Sequence, residues 1–200
     1  MTITALHKDD HFRGMASVQD GSIGYVGYVR TGIDVKIVDD AGNAVPNGSI
    51  GEVIVRGDVV MSGYWQNPEA TQSVLRDGWL YTGDMGLFNE EAILTLVDRS
   101  KDVIISGGSN IYPREIEEVL LHHPGVLDVS VIGRPDEEWG ESVVAFIVPK
   151  KEQVPLEQEL TDLCLSSLAR SKRPKEYKFV ESIPYNAYGK VSKIELRKLG

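Results

Sequence analysis

The pattern of apolar residues changes character near Arg99, and this change constrains the fold more than any other feature of the chain. Before Arg99, short β-branched runs alternate with turn-forming residues, as in strands that pair through hairpins. After it, strand-like runs alternate with helical patterns, which is typical of a compact α+β domain. We therefore predict a first domain over residues 1–98, a tight joint at residues 99–102 and a second domain over residues 103–200, since 200 residues suffice for two small cores.

The first domain is predicted to be mostly β. A strand-rich region is expected over residues 23–60, where Val35 and Ile37 precede a turn and Val53 and Val55 follow it, as in a hairpin. Further along, the pattern predicts a helix that begins at Asn67-Pro68 and ends at Leu75, strands over residues 79–97, and a hairpin turn at residues 89–91.

The second domain is predicted to contain two helices among short strands. Pro113 opens the first helix, and the second closes at residues 172–174, with Cys164 buried within it. Four leucines define the apolar face of the second helix: Leu156, Leu160, Leu163 and Leu168. Strands are predicted at residues 103–105, 126–132, 143–148 and 179–180, and a turn from strand to helix at residues 106–110.

The charge of the chain is unevenly distributed. Residues 1–100 carry 7 Lys/Arg against 14 Asp/Glu, a net charge of −7, whereas residues 151–200 carry 10 against 7, a net charge of +3. A locally basic tail on an acidic protein favours a small anionic ligand over nucleic acid, which would need a broad basic face. A basic cluster in this tail fits either an anion site or a solvated helix end: Lys172, Arg173, Lys175 and Lys178.

Composition also bears on the compartment of the protein. No apolar run is long enough to form a transmembrane segment, and the start of the chain, MTITALHKDDHF, lacks the basic and apolar regions of a secretory signal. A single cysteine excludes an intramolecular disulfide and fits a reduced compartment. We therefore expect a cytoplasmic protein.

A turn-rich segment near the end of the chain, residues 184–193, would hold Lys190 on a constrained loop. An ammonium group delivered from a separate small domain can stabilise negative charge that develops on a phosphate. A Gly-Lys pair in a polar turn is also common in solvated loops, so the turn chemistry alone does not decide between these roles.

Five motifs in a fixed order resemble the signatures of the adenylate-forming superfamily, which includes acyl- and aryl-CoA synthetases, peptide-synthetase adenylation domains and firefly luciferase. The resemblance covers roughly residues 20–198. It implies an α+β fold in which a β-rich, C-terminal lobe of the large adenylation domain precedes a small α+β lid domain. The motifs are Gly51-Glu52-Val53 with Gly63-Tyr64-Trp65, Gly78 to Asp84, Asp98 to Asp102, Ser106 to Glu117, and Pro184 to Lys193.

The resemblance implies that a carboxylic acid reacts with ATP to give acyl-AMP and pyrophosphate, and that the acyl group then passes to the thiol of coenzyme A. ATP, Mg²⁺ and coenzyme A are the implied cofactors. Lys190 matches the catalytic lysine of the family, Asp84 the residue that binds the ribose diol, and Arg99 a second ribose or phosphate contact. No residue is assigned as a metal ligand.

The resemblance also assigns residues to the second reaction step. Gly107 and Gly108 match the loop that borders the pantetheine tunnel, while Trp139 and Arg173 match contacts to coenzyme A. Lys101 falls at the hinge of the family, where many acyl-CoA synthetases carry aspartate. Because one small domain would serve both steps, it is expected to present different faces in turn by rotating about Lys101.

Three functional hypotheses remain open on the sequence alone. The first is an acid–CoA ligase, acting on fatty or aromatic acids, whose N-terminal large domain is missing from these 200 residues; the phosphate loop rich in Ser, Thr and Gly and the Tyr-Gly-x-Thr-Glu segment of the family do not occur. The second is an adenylation unit that loads a carrier protein. The third is a noncatalytic fragment or interaction module. For the isolated chain we expect no ligase activity.

Overall fold

The computed structural model describes residues 2–8 and 24–199. It divides into two compact units, Met1–Lys101 and Asp102–Gly200, each with its own sheet and apolar core. The predicted strand region begins at residue 23, which lies outside the described residues, as do residues 20–22 at the start of the family resemblance.

In the first unit, the described residues form a sheet of seven strands in the order β1-β2-β7-β6-β4-β3, with β5 paired to β6. All strand pairs in this sheet are antiparallel. The strands are β1 Thr4–Ala5, β2 Tyr25–Val29, β3 Ile33–Val38, β4 Gly51–Gly57, β5 Leu75–Arg76, β6 Trp79–Phe88 and β7 Leu94–Arg99.

Both predicted hairpins of the first unit are confirmed. Strand β3 pairs with β4, and the connection is fixed by the Asp39 carboxylate, which accepts hydrogen bonds from the backbone N–H groups of Ala41 and Asn43. Strand β6 pairs with β7 through a turn in which Asn89 plays the same part. Ile37, Val53 and Val55 are buried on one face of the sheet because strand side chains alternate between faces.

The predicted short helix is also confirmed. Helix α1, Pro68–Val74, begins after Asn67, whose side-chain oxygen accepts a hydrogen bond from the Ala70 N–H at 3.0 Å. Pro68 occupies the first turn, where a missing N–H costs nothing. The helix buries none of its residues, so its local cap is an important source of its stability.

In the second unit, the described residues form a sheet of five strands in the order β10-β11-β8-β9, with β12 paired in parallel to β11. The strands are β8 Ile104–Ser106, β9 Ser109–Ile111, β10 Val126–Asp136, β11 Gly140–Pro149 and β12 Glu176–Phe179. The helices are α2 Pro113–Leu121, α3 Glu157–Ser167 and α4 Lys193–Lys198.

Strand β11 is apolar along most of its length because both of its faces are covered. Val143, Ala145 and Ile147 belong to a core that includes residues of α2 and α3. The alternate residues Val144 and Phe146 pack in a second core that includes residues of the C-terminal segment and of α4. The segment that carries Lys190 therefore covers the sheet face opposite to α2 and α3.

The structure corrects several expectations for the second unit. Helix α3 ends at Ser167 and not at residues 172–174, and a separate 3-10 turn, Arg170–Lys172, follows it. Leu156 precedes the helix and is 67% exposed, so it is not part of the apolar face. Strand β9 was not predicted, because its residues lie in the segment expected to lead from a strand into a helix.

Two further expectations concern burial and membranes. Cys164 is fully buried, as predicted from its place in the apolar pattern. Among the residues that the structure describes, no helix is long and apolar enough to cross a bilayer.

Candidate functional site

The Gly83 segment is built by an irregularity in the pairing of β4 with β6. Ile54 lies opposite Tyr81, but Glu52 lies opposite Met85, so residues 82–84 bulge from the strand. The Thr82 hydroxyl donates to the Val53 carbonyl at 2.7 Å, and the Gly83 N–H donates to Glu52 Oε1 at 3.0 Å. Gly83 adopts a φ of 71°, which favours glycine. Both bonds therefore fix the bulge against β4.

Asp84 and Arg99 are brought together directly by this bulged strand. They are cross-strand partners on β6 and β7, and Arg99 Nε lies 3.1 Å from Asp84 Oδ1. Among the described residues, Asp84 Oδ2 accepts no hydrogen bond, and the side chain is partly exposed. The carboxylate is thus oriented by one cation and keeps a free oxygen that can accept hydroxyl protons. A pair this exposed contributes at most about 1 kcal/mol to stability.

Lys101 lies in a 3-10 turn, Ser100–Asp102, that follows β7 directly. It is the last residue of the first unit, and its side chain is exposed. Within the described parts of the chain its ammonium group forms no ion pair. Lys101 therefore lies in a short, exposed connection that ends the first unit.

Gly107 and Gly108 form a two-residue turn between β8 and β9. Their φ angles are 57° and 77°, the left-handed values that a type I′ hairpin turn requires. The expectation of a turn from strand into helix is wrong here, because the chain first returns along β9 and the helix starts only at Pro113.

The Gly107 turn and Trp139 are in direct contact. The Gly107 N–H donates to the Trp139 carbonyl at 2.9 Å, and a Cβ on Gly107 would lie 2.8 Å from Trp139 Cε3. The Trp139 N–H in turn donates to Asp136 Oδ1 at 2.9 Å. The indole remains 43% exposed, so it offers a fixed aromatic surface to solvent.

Lys175 also belongs to this group, although the sequence placed it only within a basic cluster. Its ammonium nitrogen lies 5.0 Å from the centre of the Trp139 ring, within the range of a cation–π interaction. Its backbone N–H donates to the Val143 carbonyl at 2.8 Å, which holds it beside the start of β11. Trp139 and Lys175 are 36 residues apart, so only the pairing of strands could reveal the contact.

The rest of the basic cluster is neither one anion site nor a uniformly solvated helix end. Lys172 forms an ion pair with Glu115 at 2.7 Å, and Lys178 approaches Glu176 at 3.5 Å. The Arg173 Nε atom is buried and has no hydrogen-bond partner among the described residues. These cations therefore have different environments, and only Lys175 stacks on the Trp139 ring.

Arg173 lies near a buried pair formed by Cys164 and Tyr177. Burial raises the pKa of both groups, and the Arg173 charge opposes that increase. The Tyr177 hydroxyl lies 3.9 Å from Cys164 Sγ. Arg173 thus lies close to the buried core, and its Nε has no hydrogen-bond partner within the described ranges.

Lys190 is presented by a closed loop, residues 185–191, which we call the Lys190 loop. Tyr185 and Val191 form a β-bridge at its base. Asn186 Oδ1 accepts hydrogen bonds from the N–H groups of Tyr188 at 2.9 Å and Lys190 at 3.0 Å. The Lys190 side chain is exposed and forms no ion pair within the described part of the chain. The backbone is therefore fixed while the ammonium group is free to reach outward.

The Lys190 loop and the Gly107 turn lie at opposite ends of the second unit. The Tyr185 hydroxyl donates to Asp128 Oδ2 at 2.7 Å, near the start of β10, whereas Trp139 follows the end of that strand at Asp136. Asp136 lies eight positions after Asp128 along the strand, which corresponds to about 26 Å at roughly 3.3 Å per residue. One unit therefore carries two separate sets of predicted site residues.

The Asp128 carboxylate also affects Tyr185 electrostatically. The hydrogen bond to Asp128 raises the pKa of Tyr185, because loss of the phenol proton would place two anions side by side. No group of three or more His, Cys, Asp or Glu side chains that could hold a metal ion occurs in the described ranges.

Two family models match the chain. The model for AMP-binding enzymes matches residues 3–65, and the model for the C-terminal domain of AMP-binding enzymes matches residues 115–190. A long-chain-fatty-acid–CoA ligase of Escherichia coli O6:H1 is 42% identical over 87% of this chain and 31% of its own length. The fatty acid–[acyl-carrier-protein] ligase ScoC of Streptomyces coeruleorubidus is 42% identical over 86% of this chain and 33% of its own length. The chain spans about a third of the length of these relatives.

Solved structures agree with these matches. The amide bond synthetase McbA from Marinactinospora thermotolerans matches 98% of this chain and 39% of its own chain, with 40% identity and a TM-score of 0.87. The o-succinylbenzoate CoA synthetase of Bacillus subtilis, in complex with an acyl-adenylate intermediate, matches 98% of this chain and 38% of its own chain, with 35% identity and a TM-score of 0.85. The α+β architecture is thus that of the C-terminal regions of these enzymes, and the chain belongs to the adenylate-forming superfamily.

Proposed function

We propose that the chain is part of an ATP-dependent carboxylic acid–CoA ligase. In the first step the acid and ATP give acyl-AMP and pyrophosphate, and in the second the acyl group passes to coenzyme A. The observation that carries the proposal is the separation within one unit of the Lys190 loop from the Gly107 turn, by about 26 Å of strand. Two reaction steps in succession require two such sets of groups.

Asp84 and Arg99 would hold the nucleotide. The free oxygen of the Asp84 carboxylate suits the ribose hydroxyls, because a carboxylate accepts such protons in charge-assisted bonds. Arg99 orients that carboxylate and exposes the rest of its guanidinium, which can contact ribose or phosphate.

Lys190 would act in the first step. As the acid attacks the α-phosphate of ATP, negative charge increases on the phosphate oxygens. The Lys190 ammonium group, which has no ion-pair partner among the described residues and is carried on a fixed loop, stabilises that charge. Mg²⁺ would supply further charge stabilisation, but no step of this proposal depends on the metal, since the described residues offer no cluster of ligands for it.

The Gly107 turn would act in the second step. Gly107 lies against the Trp139 ring, where a Cβ would come within 2.8 Å of Cε3, and Gly108 beside it has no atom of the described residues within 4 Å of a Cβ position; this open side of the turn would leave room for a slender pantetheine arm. Trp139 with Lys175 offers an aromatic face and a cation, which suit the adenine and phosphates of coenzyme A, and Arg173 would add a second cation. The second unit would present its two ends in turn by rotation about Lys101, at a hinge over residues 99–102.

The alternative acceptor is a carrier protein, as the name of ScoC indicates for that relative. The cation–aromatic pair of Lys175 and Trp139 favours free coenzyme A, because a carrier-bound pantetheine arm lacks the nucleotide that this pair would recognise. The substrate acid is proposed only as a class, a carboxylic acid of the fatty or aromatic type.

The test is a chimera in which this chain replaces the matching region of the Escherichia coli ligase. Acid-dependent ATP–pyrophosphate exchange reports the first step, and thioester formation from supplied acyl-AMP reports the second. Lys190→Ala is expected to abolish exchange and spare the second step, whereas Gly108→Leu is expected to do the reverse. Equal loss of both steps in both variants would contradict the proposed division of labour.

The same assays distinguish the acceptor and test the chain alone. Transfer to free coenzyme A that is lost in Trp139→Ala, with no transfer to a pantetheinylated carrier, supports the ligase; the opposite preference supports the alternative. We further expect the 200-residue chain to show no exchange by itself, and measurable turnover would refute that expectation.

A further inference from the structure

Two kinds of contact join the Lys190 loop to the sheet of the second unit: Val191 packs against the apolar core, and a tyrosine hydroxyl supplies a hydrogen bond. The other hydrogen bonds of the loop close it on itself or on its neighbours in sequence. Among the described residues, the bond from Tyr185 Oη to Asp128 Oδ2, at 2.7 Å, is the hydrogen bond that connects the loop to a strand of the sheet.

The acceptor of this bond is itself fixed. Asp128 Oδ1 accepts a hydrogen bond from the Val129 N–H at 2.8 Å, which orients the carboxylate. Asp128 also pairs across the sheet with Val148, a core residue of β11. The carboxylate therefore has one preferred orientation, and its charge strengthens the bond it accepts from Tyr185.

The donor is rigidly connected to Lys190. Asn186 follows Tyr185 directly, and its Oδ1 binds the Lys190 N–H at 3.0 Å, while its own N–H donates to the Lys190 carbonyl at 2.8 Å. A displacement of Tyr185 would thus move the Lys190 backbone with it.

We propose that Tyr185 is a positioning residue for Lys190, which acts by tying the Lys190 loop to Asp128. This inference rests on the proposed role of Lys190 in adenylation. Without the bond, the loop would keep its internal turn and the packing of Val191 but would be less firmly oriented on the sheet, and the ammonium group would reach the phosphate less often in the productive geometry.

The first test measures the loop itself in the 200-residue chain, by amide hydrogen exchange. Tyr185→Phe removes only the hydroxyl, and Tyr188→Phe is the matched control, because Tyr188 is 90% exposed and its hydroxyl has no partner among the described residues. Faster exchange of the Lys190 amide is expected in Tyr185→Phe alone. Unchanged protection in that variant would overturn the proposal.

The second test uses the chimera and measures both reaction steps. Since a misplacement of about 1 Å can cost roughly 100-fold in rate, Tyr185→Phe is expected to lower kcat of pyrophosphate exchange by about 10- to 100-fold, with KM for the acid and thioester formation unchanged. Asp128→Asn keeps an acceptor oxygen and should retain more activity than Asp128→Ala. Equal loss in the two Asp128 variants, or no loss in Tyr185→Phe, would overturn the positioning role.

Lys190→Ala, assayed in parallel, separates failure of this inference from failure of the proposed function. If Lys190→Ala abolishes exchange and Tyr185→Phe leaves it intact, only the positioning role is refuted. If Lys190→Ala leaves exchange intact, the proposed function of Lys190 fails, and the positioning role fails with it even where the loop has become mobile.

Discussion

Two adjacent glycines allow one contact to be measured against its own control. Gly107 and Gly108 both have positive φ, at 57° and 77°, so alanine at either position meets the same kind of backbone strain. They differ in their surroundings, because a Cβ on Gly107 would lie 2.8 Å from Trp139 Cε3, whereas no atom of the described residues lies within 4 Å of a Cβ on Gly108. The difference between the two variants therefore reports the contact with Trp139.

The expected cost of each variant follows from these geometries. Alanine in the left-handed region lowers the free energy of unfolding by about 1–2 kcal/mol. The lower entropy of the unfolded chain offsets about 0.4–1 kcal/mol of this, so Gly108→Ala should destabilise the second unit by about 1 kcal/mol. In Gly107→Ala the new Cβ also meets the Trp139 ring. If the ring stays in place, the overpacking costs about 1–3 kcal/mol. If the ring swings away, the loss of its interaction with Lys175 costs about 0.5–1 kcal/mol. The total for Gly107→Ala is then about 1.5–4 kcal/mol, against about 1 kcal/mol for Gly108→Ala.

The assay is hydrogen exchange of the full chain at increasing urea, read on peptides from the second unit only, because the first unit unfolds with its own core. The pair of variants is then repeated in a Trp139→Ala background, where the extra cost of Gly107→Ala should disappear. Equal costs for the two glycines with Trp139 present, or an excess that persists without the ring, would refute the reasoning.

Three further predictions concern stability. Leu160→Ala should cost about 2–5 kcal/mol because Leu160 is fully buried, whereas Leu156→Ala should cost less than about 0.5 kcal/mol because Leu156 is 67% exposed; equal shifts in urea midpoints would contradict this. Asn67→Ala should cost about 1 kcal/mol in local stability of α1, measured by amide exchange, and unchanged protection would show that the cap is not needed. Burial raises the pKa of Cys164 above its ordinary 9.0, so the contribution of the protonated thiol to stability is complete below pH 9.0 and decreases as the pH rises from there towards the folded-state pKa. Cys164→Ala should therefore flatten the decrease in the free energy of unfolding at alkaline pH. An unaltered slope of that free energy against pH would disprove this.

Much of the fold followed from local patterns. The β3–β4 hairpin is specified by alternating apolar residues around a turn that Asp39 closes, and α1 by Asn67 and Pro68 at its start. Strand β9 was missed because three residues, Ser109–Ile111, carry too short a pattern to identify a strand. The end of α3 was misplaced because basic residues beyond Ser167 resemble a helix terminus, although the chain continues there as a 3-10 turn.

Some residues of the candidate site could be identified from the sequence, whereas Lys175 could be identified only from the structure. The identities of Asp84, Arg99 and Lys190 were available from motifs, since each lies in a segment whose residue order resembles a family signature. Lys175 could not be assigned from its neighbours in sequence, because it directly precedes β12, whereas its partner Trp139 lies in the turn between β10 and β11.

The sequence by itself determined most of the secondary elements and the family, because these depend on residues that are close together in the chain. Only the tertiary structure decided which distant groups meet: Lys175 with Trp139, Gly107 with the same ring, and Tyr185 with Asp128. Such contacts depend on strand register and on which face of a sheet each segment covers. Local propensity does not encode either one, since both are set by the burial of the whole core.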